Sequence, residues 1–154
     1  NAFVFAGIWC CFGHAGAFYN WIAVIVCTAF AASGIGYISG AAVPKNSANV
    51  LAIIMCFICC VFAGVEPTLK QVNQYPVVNW PWYLSFSTWT AEATFYTWSN
   101  YLDDDGKVNI SLQDGADRYG YDISHGLNRS IGALLALGIA MRIIAIMFLW
   151  YKTK

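Results

Sequence analysis

Two long apolar runs limit what this 154-residue chain can fold into. Residues 21–43 contain no charged side chain, and residues 130–150 contain only Arg142. A helix that crosses a bilayer needs about 20 mostly apolar residues, and soluble core helices rarely hold that many without charge. The two runs therefore predict two membrane-spanning helices.

Two shorter apolar runs extend this interpretation. Residues 49–65 are close to the lower length limit of a span, and they are followed at once by Glu66. We expect a third span here, joined to the first long run by a short polar turn at 44–47. Residues 2–12 would cover only about half of a hydrocarbon core. Because the chain starts at Asn1 without Met, we interpret it as a fragment that begins inside a cut helix.

The charges indicate how the spans are oriented. All eight acidic residues fall between positions 66 and 122, whereas Lys45 and Lys152 flank the opposite ends of the spans without any acid nearby. Basic residues near span ends favour the cytosolic side. Asn109 begins an Asn-x-Ser glycosylation signal inside the acidic segment, which suits an external loop. The acidic loop is therefore predicted to be external or lumenal, and the C-terminus cytosolic.

The predicted fold class is an all-α integral membrane protein, a polytopic helical bundle with re-entrant or interfacial helices in a large external loop. Residues 1–19 would hold a truncated span and a short turn, and residues 20–65 two transmembrane helices joined by a short cytosolic turn. Residues 66–128 would form the external loop, and residues 129–154 the last transmembrane helix with a short cytosolic tail. The net charge is zero and no basic stripe occurs, so the expected partner is the lipid bilayer and not nucleic acid.

The first half of the loop is unusually aromatic. Trp82, Phe86 and Trp89 keep helical spacing, which predicts a helix over about residues 83–100. Trp and Tyr concentrate where a surface is half apolar and half wet, so this helix is predicted to lie in, or dip into, the outer membrane interface. Glu92 stands in the same apolar stretch. We expect it to have a partner or to lie near water, because an unpaired buried carboxylate is costly.

The sequence offers no catalytic constellation and no ATP-binding motif. Neither histidine has a nucleophile or a paired carboxylate at a meaningful spacing, and no Gly-x-x-x-x-Gly-Lys phosphate-binding loop occurs. Cys56, Cys59 and Cys60 have metal-like spacing, yet no His or carboxylate stands near them in sequence, so we interpret them as packing residues and predict no metal. The polar second half of the loop, residues 103–122, is predicted to be a solvated turn.

Within the two long runs, small residues recur at every fourth position. They are Ala32, Gly36 and Gly40 in the first run and Gly132, Ala136 and Ala140 in the last. Small residues let helices approach closely in lipid, so both faces are predicted to pack against neighbouring helices, within the chain or across a dimer. Arg142, the one charge inside a span, either has a functional role or snorkels toward the interface near Lys152.

The order of several short motifs resembles the ABC transporter G (White) subfamily. They are Phe62-Ala63-Gly64-Val65, Tyr83-Leu84-Ser85, Ala91-Glu92-Ala93, Tyr119-Gly120-Tyr121-Asp122 and Met141-Arg142-Ile143-Ile144-Ala145. From Asn20 onward the chain looks like the C-terminal half of that family's membrane domain, from the end of the third span to the sixth, and most like its plant and protist members. Thr88 precedes Trp89 where the family frequently has Arg.

The resemblance implies an activity and its partners. Members of this family are homo- or heterodimers that use ATP to export lipids, sterols or other apolar and amphipathic compounds. It therefore implies that ATP and Mg²⁺ bind a nucleotide-binding domain missing from these 154 residues, and that the chain itself holds no cofactor. The implied location is a eukaryotic plasma membrane or an internal membrane.

The resemblance also implies roles for individual residues. The fifth span would line the substrate path, and in this chain its residues at one helical face are Ile53, Phe57, Cys60 and Gly64. Ordinary helix packing is the alternative for that stripe. Val65 and Glu66 would form the outer gate. Trp89 and Glu92 would belong to a re-entrant helix.

Two other classes of protein stay open. A non-transporting membrane adaptor with a large external loop would be expected to carry paired cysteines in that loop, and here all six cysteines lie in apolar runs. A channel subunit would be expected to align polar or charged residues inside a span, and only Arg142 and scattered Ser and Thr are available. A nucleotide-binding domain encoded upstream would decide for the transporter.

Overall fold

The computed structural model of the protein describes residues 18–63, 67–75, 77, 79–103, 109–121 and 126–153. All regular structure in these ranges is helical, which confirms the predicted all-α class. The helices are α1 (Phe18–Ala42), α2 (Lys45–Val61), α3 (Leu69–Val72), α4 (Trp80–Leu84), α5 (Phe86–Asp103), α6 (Asn109–Tyr119) and α7 (Gly126–Lys152). The predicted cut helix at 2–12 lies outside the described residues.

Helices α1 and α7 are long and apolar enough to cross a membrane. They contain 25 and 27 residues, which correspond to about 37 and 40 Å of helix at a rise of 1.5 Å per residue. The two longest apolar runs of the sequence are therefore confirmed as helices of spanning length.

Helix α2 is shorter than the two helices beside it. It has 17 residues and begins at Lys45, directly after Pro44. The connection from α1 is therefore only residues 43 and 44, and not the longer turn expected at 44–47. Since so short a connection makes α2 return antiparallel to α1, α2 ends about 12 Å before the level of Phe18.

Helices α1 and α7 run in the same direction and touch through two glycines. A Cβ placed on Gly34 would lie 2.8 Å from the Cβ of Met141, and one placed on Gly138 would lie 2.4 Å from the ring of Phe30. Position 30 meets 138 and position 34 meets 141, so the numbering rises together along both helices. Small residues at such a contact let the two backbones approach closely.

The predicted small-residue faces do not make this contact. A Cβ on Gly36, Gly40 or Gly132 would meet nothing within 4 Å. Gly36 lies two residues from Gly34, which is about 200° around a helix of 3.6 residues per turn, so it points to the opposite side. A role for these faces in a dimer stays a prediction.

Helix α5 packs against α1 and α7, with its first turn near the middle of both. Phe86 belongs to a buried cluster whose other members come from the central turns of those helices: Cys27, Ala31, Ile35 and Leu134. The hydroxyl groups of Thr28 and Thr90 are 3.0 Å apart, and Thr94 shares a small cavity with Trp21. From its first turn α5 therefore runs toward the end at which α1 begins.

The loop departs from its sequence prediction in two places. The helix expected over 83–100 is divided at Ser85, whose extended backbone separates α4 from α5. The polar second half is not a plain turn, because it contains the 11-residue helix α6. Ala116 of α6 is 1% exposed and packs in a cluster with Tyr121 and Leu69, so contact with distant residues holds α6 in place.

Large apolar side chains cover the outer surface of the long helices. No residue of α2 is buried, and Ile53 and Phe57 are 66% and 72% exposed. The second half of α7 also exposes Ile146 and Met147. Soluble monomers rarely expose apolar patches of more than a few hundred Å². Such a surface is typical of contact with lipid or with further protein.

Gly138→Ala should separate α1 from α7, whereas Gly132→Ala should not. The methyl group added at 138 would overlap the ring of Phe30, and such overpacking costs about 1–3 kcal/mol. The methyl group added at 132 meets open space. Thermal unfolding in detergent, followed by tryptophan fluorescence, should give a lower midpoint for Gly138→Ala only. Equal midpoints for the two variants would contradict the glycine contact.

Candidate functional site

A cavity of about 570 Å³ lies between α1, α2 and α7 and is closed on one side by α4. The three long helices contribute aliphatic and thioether side chains to its walls: Ile35, Ile38, Leu51, Met55, Ile58, Leu137, Met141 and Ile144. The closing segment contributes Trp80, Pro81, Leu84 and Ser85. A cavity of this volume and lining is typical of sites that bind one small molecule.

Among the described residues, no charged side chain lines the cavity, and its two hydroxyl groups are already bonded. Ser39 donates to the carbonyl oxygen of Ile35 at 2.8 Å, and Ser85 donates to that of Cys59 at 2.7 Å. A polar molecule would lose its hydrogen bonds with water on entering and would find few replacements. The cavity therefore suits an apolar molecule, or the apolar part of an amphipathic one.

The hydroxyl groups of Ser85 and Thr88 cap the C-terminal end of α2. The last four carbonyl groups of a helix have no partner within the helix itself. Ser85 donates to the carbonyl of Cys59, and Thr88 donates to that of Phe62. Two further carbonyls at this end accept from backbone N–H groups of the following turn. The segment that closes the cavity is thus also the cap of α2.

The predicted substrate stripe faces away from this cavity. Ile53, Phe57 and Cys60 lie on the outward face of α2, around a shallow groove that also touches Ala32 and Gly36 of α1. Three of the four stripe residues therefore share one face, and none of them lines the cavity.

Several predicted site residues lie where the structure gives no side-chain detail. Gly64, the fourth residue of the stripe, and Val65 and Glu66, the predicted gate, lie outside the described residues. Asn109 is the first residue of α6, and its side chain is not described. Their roles stay predictions.

Trp89 and Glu92, the predicted re-entrant residues, both lie on α5. The indole N–H of Trp89 donates to the carbonyl of Tyr83 at 2.8 Å, and the guanidinium of Arg129 lies 5.6 Å from the centre of its ring. The residue before Trp89 is Thr88, and the guanidinium that reaches this ring comes from α7. Glu92 is 4% exposed. The carboxylate is therefore enclosed by protein.

A second buried cluster contains Tyr121, which lies close enough to Glu92 to feel its charge. Its buried members come from the loop helices and the segment after α6: Leu69, Val72, Trp82, Tyr96, Ala116 and Tyr121. The Tyr121 ring centre lies 5.3 Å from that of Phe95 and 5.7 Å from that of Tyr119. Burial, with smaller contributions from the charge of Glu92 and from Tyr119, raises the pKa of Tyr121 to about 12.

Arg142 connects α7 to α1 in the middle of both helices. Its guanidinium donates to the carbonyls of Gly138 and Phe30 at 2.8 and 3.0 Å, and to the hydroxyl of Ser33 at 2.7 Å. The bond to Gly138, four residues earlier, means that the side chain points toward the start of α7. This direction is opposite to the one that snorkelling toward Lys152 would require.

Two of the three cysteines of α2 pack against neighbouring helices, and the third, Cys60, is exposed. Cys56 and Cys59 pack against the cluster that contains Phe86. Within the described ranges, no group of three His, Cys, Asp or Glu side chains is placed to hold a metal ion.

Comparison with protein-family models, with curated proteins and with solved structures gives no match. The resemblance to an ABC transporter subfamily therefore stays a prediction from short motifs and their order. The geometry of the cavity, the helix cap and Arg142 is the remaining basis for a function.

Sequence reasoning did not identify the capping hydroxyls or the cavity walls. A Ser before an apolar segment of helical period is a helix-start signal, and this signal marks the break at Ser85. No local signal could show that the hydroxyl would bond the carbonyl of a different helix.

Ser85→Ala and Thr88→Val should each loosen the end of α2. Each change leaves a carbonyl without its donor, and an unsatisfied buried polar group costs about 1–3 kcal/mol. Hydrogen exchange measured by mass spectrometry should be faster in peptides that cover residues 58–63. Ser87→Ala is the matched control, because its hydroxyl makes only a weak contact with the Cys60 sulfur at 3.9 Å. Exchange in Ser85→Ala and Thr88→Val that is no faster than in this control would contradict the capping role.

The stability of the fold should fall between about pH 10 and pH 12 because of Tyr121. A tyrosine in the unfolded chain loses its proton near pH 10, whereas Tyr121 in the fold keeps it up to about 12. The contribution of neutral Tyr121 is thus complete below about pH 10 and is lost as the pH rises through about 12. Unfolding midpoints over a pH series should fall less steeply for Tyr121→Phe than for Tyr119→Phe, and equal slopes would refute this.

Proposed function

We propose that the chain is part of the membrane domain of an ATP-driven exporter of lipids, sterols or other amphipathic compounds. The observation that carries the proposal is the apolar cavity between three apolar helices, closed by α4 and Ser85. The order of motifs that resembles the ABC transporter G subfamily supports it. On this proposal, ATP and Mg²⁺ bind a nucleotide-binding domain outside these 154 residues, and two membrane domains work as a homo- or heterodimer.

The placement of the bundle in a bilayer rests on its length and its surface. Helices α1 and α7 exceed the length of a span, and α2, with 17 residues, is at the lower limit. Their outward side chains are apolar, and contact with lipid removes that surface from water. The polytopic bundle would then have Lys45 and Lys152 at the cytosolic face and α3 and α6 at the external face.

Helices α4 and α5 would form a re-entrant pair in this bilayer. Phe86 lies in the cluster at the middle of α1, and α5 leads back toward the end at which α1 begins. Irregular backbone is tolerated at membrane depth only where it is buried in protein or lines a cavity. The break at Ser85 meets this condition, because Ser85 is 2% exposed and its hydroxyl bonds α2.

The cavity limits the class of substrate. Apolar walls with bonded hydroxyls favour an acyl chain or a fused-ring skeleton, while a polar head group would stay outside the cavity. The outward stripe of Ile53, Phe57 and Cys60 offers a second apolar surface, on which the other subunit of a dimer would complete a path. Both surfaces exclude polar solutes.

Ala140→Phe should reduce transport because it fills the cavity. Ala140 lines the cavity, and a phenyl ring there removes space that the substrate needs. Overfilling costs about 1–3 kcal/mol, which is about 5-fold to 150-fold in apparent affinity. ATP-dependent flux of a fluorescent phospholipid should be measured in proteoliposomes that contain the whole protein.

Ile139→Phe is the matched control for this experiment. Ile139 is 52% exposed, adjoins Ala140 in sequence and does not line the cavity. Its flux should equal that of the wild type. Equal flux in both variants would exclude the cavity from the route, and release of the protein from membranes by alkaline carbonate would refute the membrane placement itself.

A further inference from the structure

Arg142, Ser33 and Tyr37 form a polar cluster on the otherwise apolar surface of α1 and α7. The guanidinium carbon of Arg142 lies 3.7 Å from the ring centre of Phe30 and 5.3 Å from that of Tyr37. Arg142 is half-buried, whereas Ser33 is exposed and Tyr37 is 59% exposed. A positive charge, held between two aromatic rings, therefore faces the outside of the helix pair.

The guanidinium keeps part of its hydrogen-bonding capacity. An arginine has five N–H donors. Both N–H groups of Nη1 are used on the carbonyls of Phe30 and Gly138, and one of Nη2 is used on Ser33. Among the described residues, no acceptor binds the remaining Nη2–H and the Nε–H. Two donors of a fixed, charged fork are thus open, and such forks bind carboxylate and phosphate groups.

Helices α1, α2 and α7 supply no negative charge to balance Arg142. All eight acidic residues lie between positions 66 and 122, so none belongs to α1, α2 or α7. Arg142 is about 12 Å along the helix from Trp150, well inside the apolar segment. A charge at such depth is costly unless it is paired or faces water. The counter-charge has to come from outside these helices.

Open space leads from the cluster toward the basic end of the bundle. Gly40 continues the face of Ser33, seven residues further along α1, and a Cβ on it would meet nothing within 4 Å. Lys45 begins α2 just beyond this face. Basic residues at a membrane surface attract anions by about 1 kcal/mol each. An anionic head group can therefore collect at this end and reach Arg142 past Gly40.

We propose that Arg142, with Tyr37 and Ser33, binds the anionic head of an amphipathic molecule, a carboxylate or a phosphate. The two open donors of Arg142 hold the head, and the hydroxyl of Tyr37 adds a third donor. The tail lies in the apolar surroundings. The inference rests on the membrane placement proposed above, and it does not require that the protein transports this molecule.

The test is photo-crosslinking of the whole protein in lipid nanodiscs. The probe is a long-chain fatty acid with a diazirine close to its carboxylate, and the neutral control is the fatty alcohol with the same chain. Wild-type protein should be labelled saturably by the acid, at residues 33–41 and 138–146, and weakly by the alcohol. Loss of a hydrogen bond to a charged group is worth about tenfold in affinity, and Arg142→Gln should lower labelling by that factor.

Two further variants distinguish loss of binding from loss of folding. Tyr37→Phe keeps the ring over the guanidinium and removes only the hydroxyl, so it should lower labelling severalfold with an unchanged unfolding midpoint. Lys70→Gln removes a positive charge from α3, away from both the cluster and the basic end of the bundle, and its labelling should equal that of the wild type.

Three outcomes would overturn the proposal. Equal labelling by acid and alcohol would show that charge is not recognised. Absence of labelling in membrane-retained wild-type protein would show that Arg142 does not bind the head of an amphipathic carboxylate. Competition by acetate as strong as that by unlabelled fatty acid would show a site for small anions only. Protein that carbonate releases from membranes would instead refute the proposed function.

Discussion

The early end of α2 is the constraint on which the rest of the bundle depends. Since α2 stops about two turns before the level at which α1 begins, its last carbonyl groups need donors from elsewhere in an apolar setting. Ser85 and Thr88 provide them, and this fixes where the chain breaks between α4 and α5. The same break puts Phe86 among the central turns of α1 and α7 and closes the cavity with α4.

Phe30 takes part both in the close contact between α1 and α7 and in the binding of the Arg142 guanidinium. The ring of Phe30 fills the space that Gly138 leaves open, and the guanidinium carbon of Arg142 lies 3.7 Å from the centre of the same ring. The carbonyl of Phe30 also accepts from that guanidinium. A change in the distance between α1 and α7 would therefore also move the guanidinium of Arg142.

Sequence patterns predicted the long helices and the all-α class, because an uncharged apolar run of more than 20 residues is typical of a membrane-spanning helix. Aromatic spacing also predicted a loop helix that carries Trp89 and Glu92. Other features depend on contacts between distant residues. Gly34 and Gly138 have no four-residue spacing to mark them, and α6 has too few apolar residues to predict without its partners. The cavity is shaped by α2 ending early, which the apolar run through residue 65 conceals.

The packing of α5 against both α1 and α7 has a consequence for the assembly of the protein during synthesis. Helix α5 packs against α1, which precedes it in the chain, and against α7, which follows it. When a ribosome has completed α5, half of its binding surface does not yet exist. The segment from α4 to α6 therefore cannot complete its packing until α7 has been synthesised. Insertion of α7 is then the step that completes the bundle.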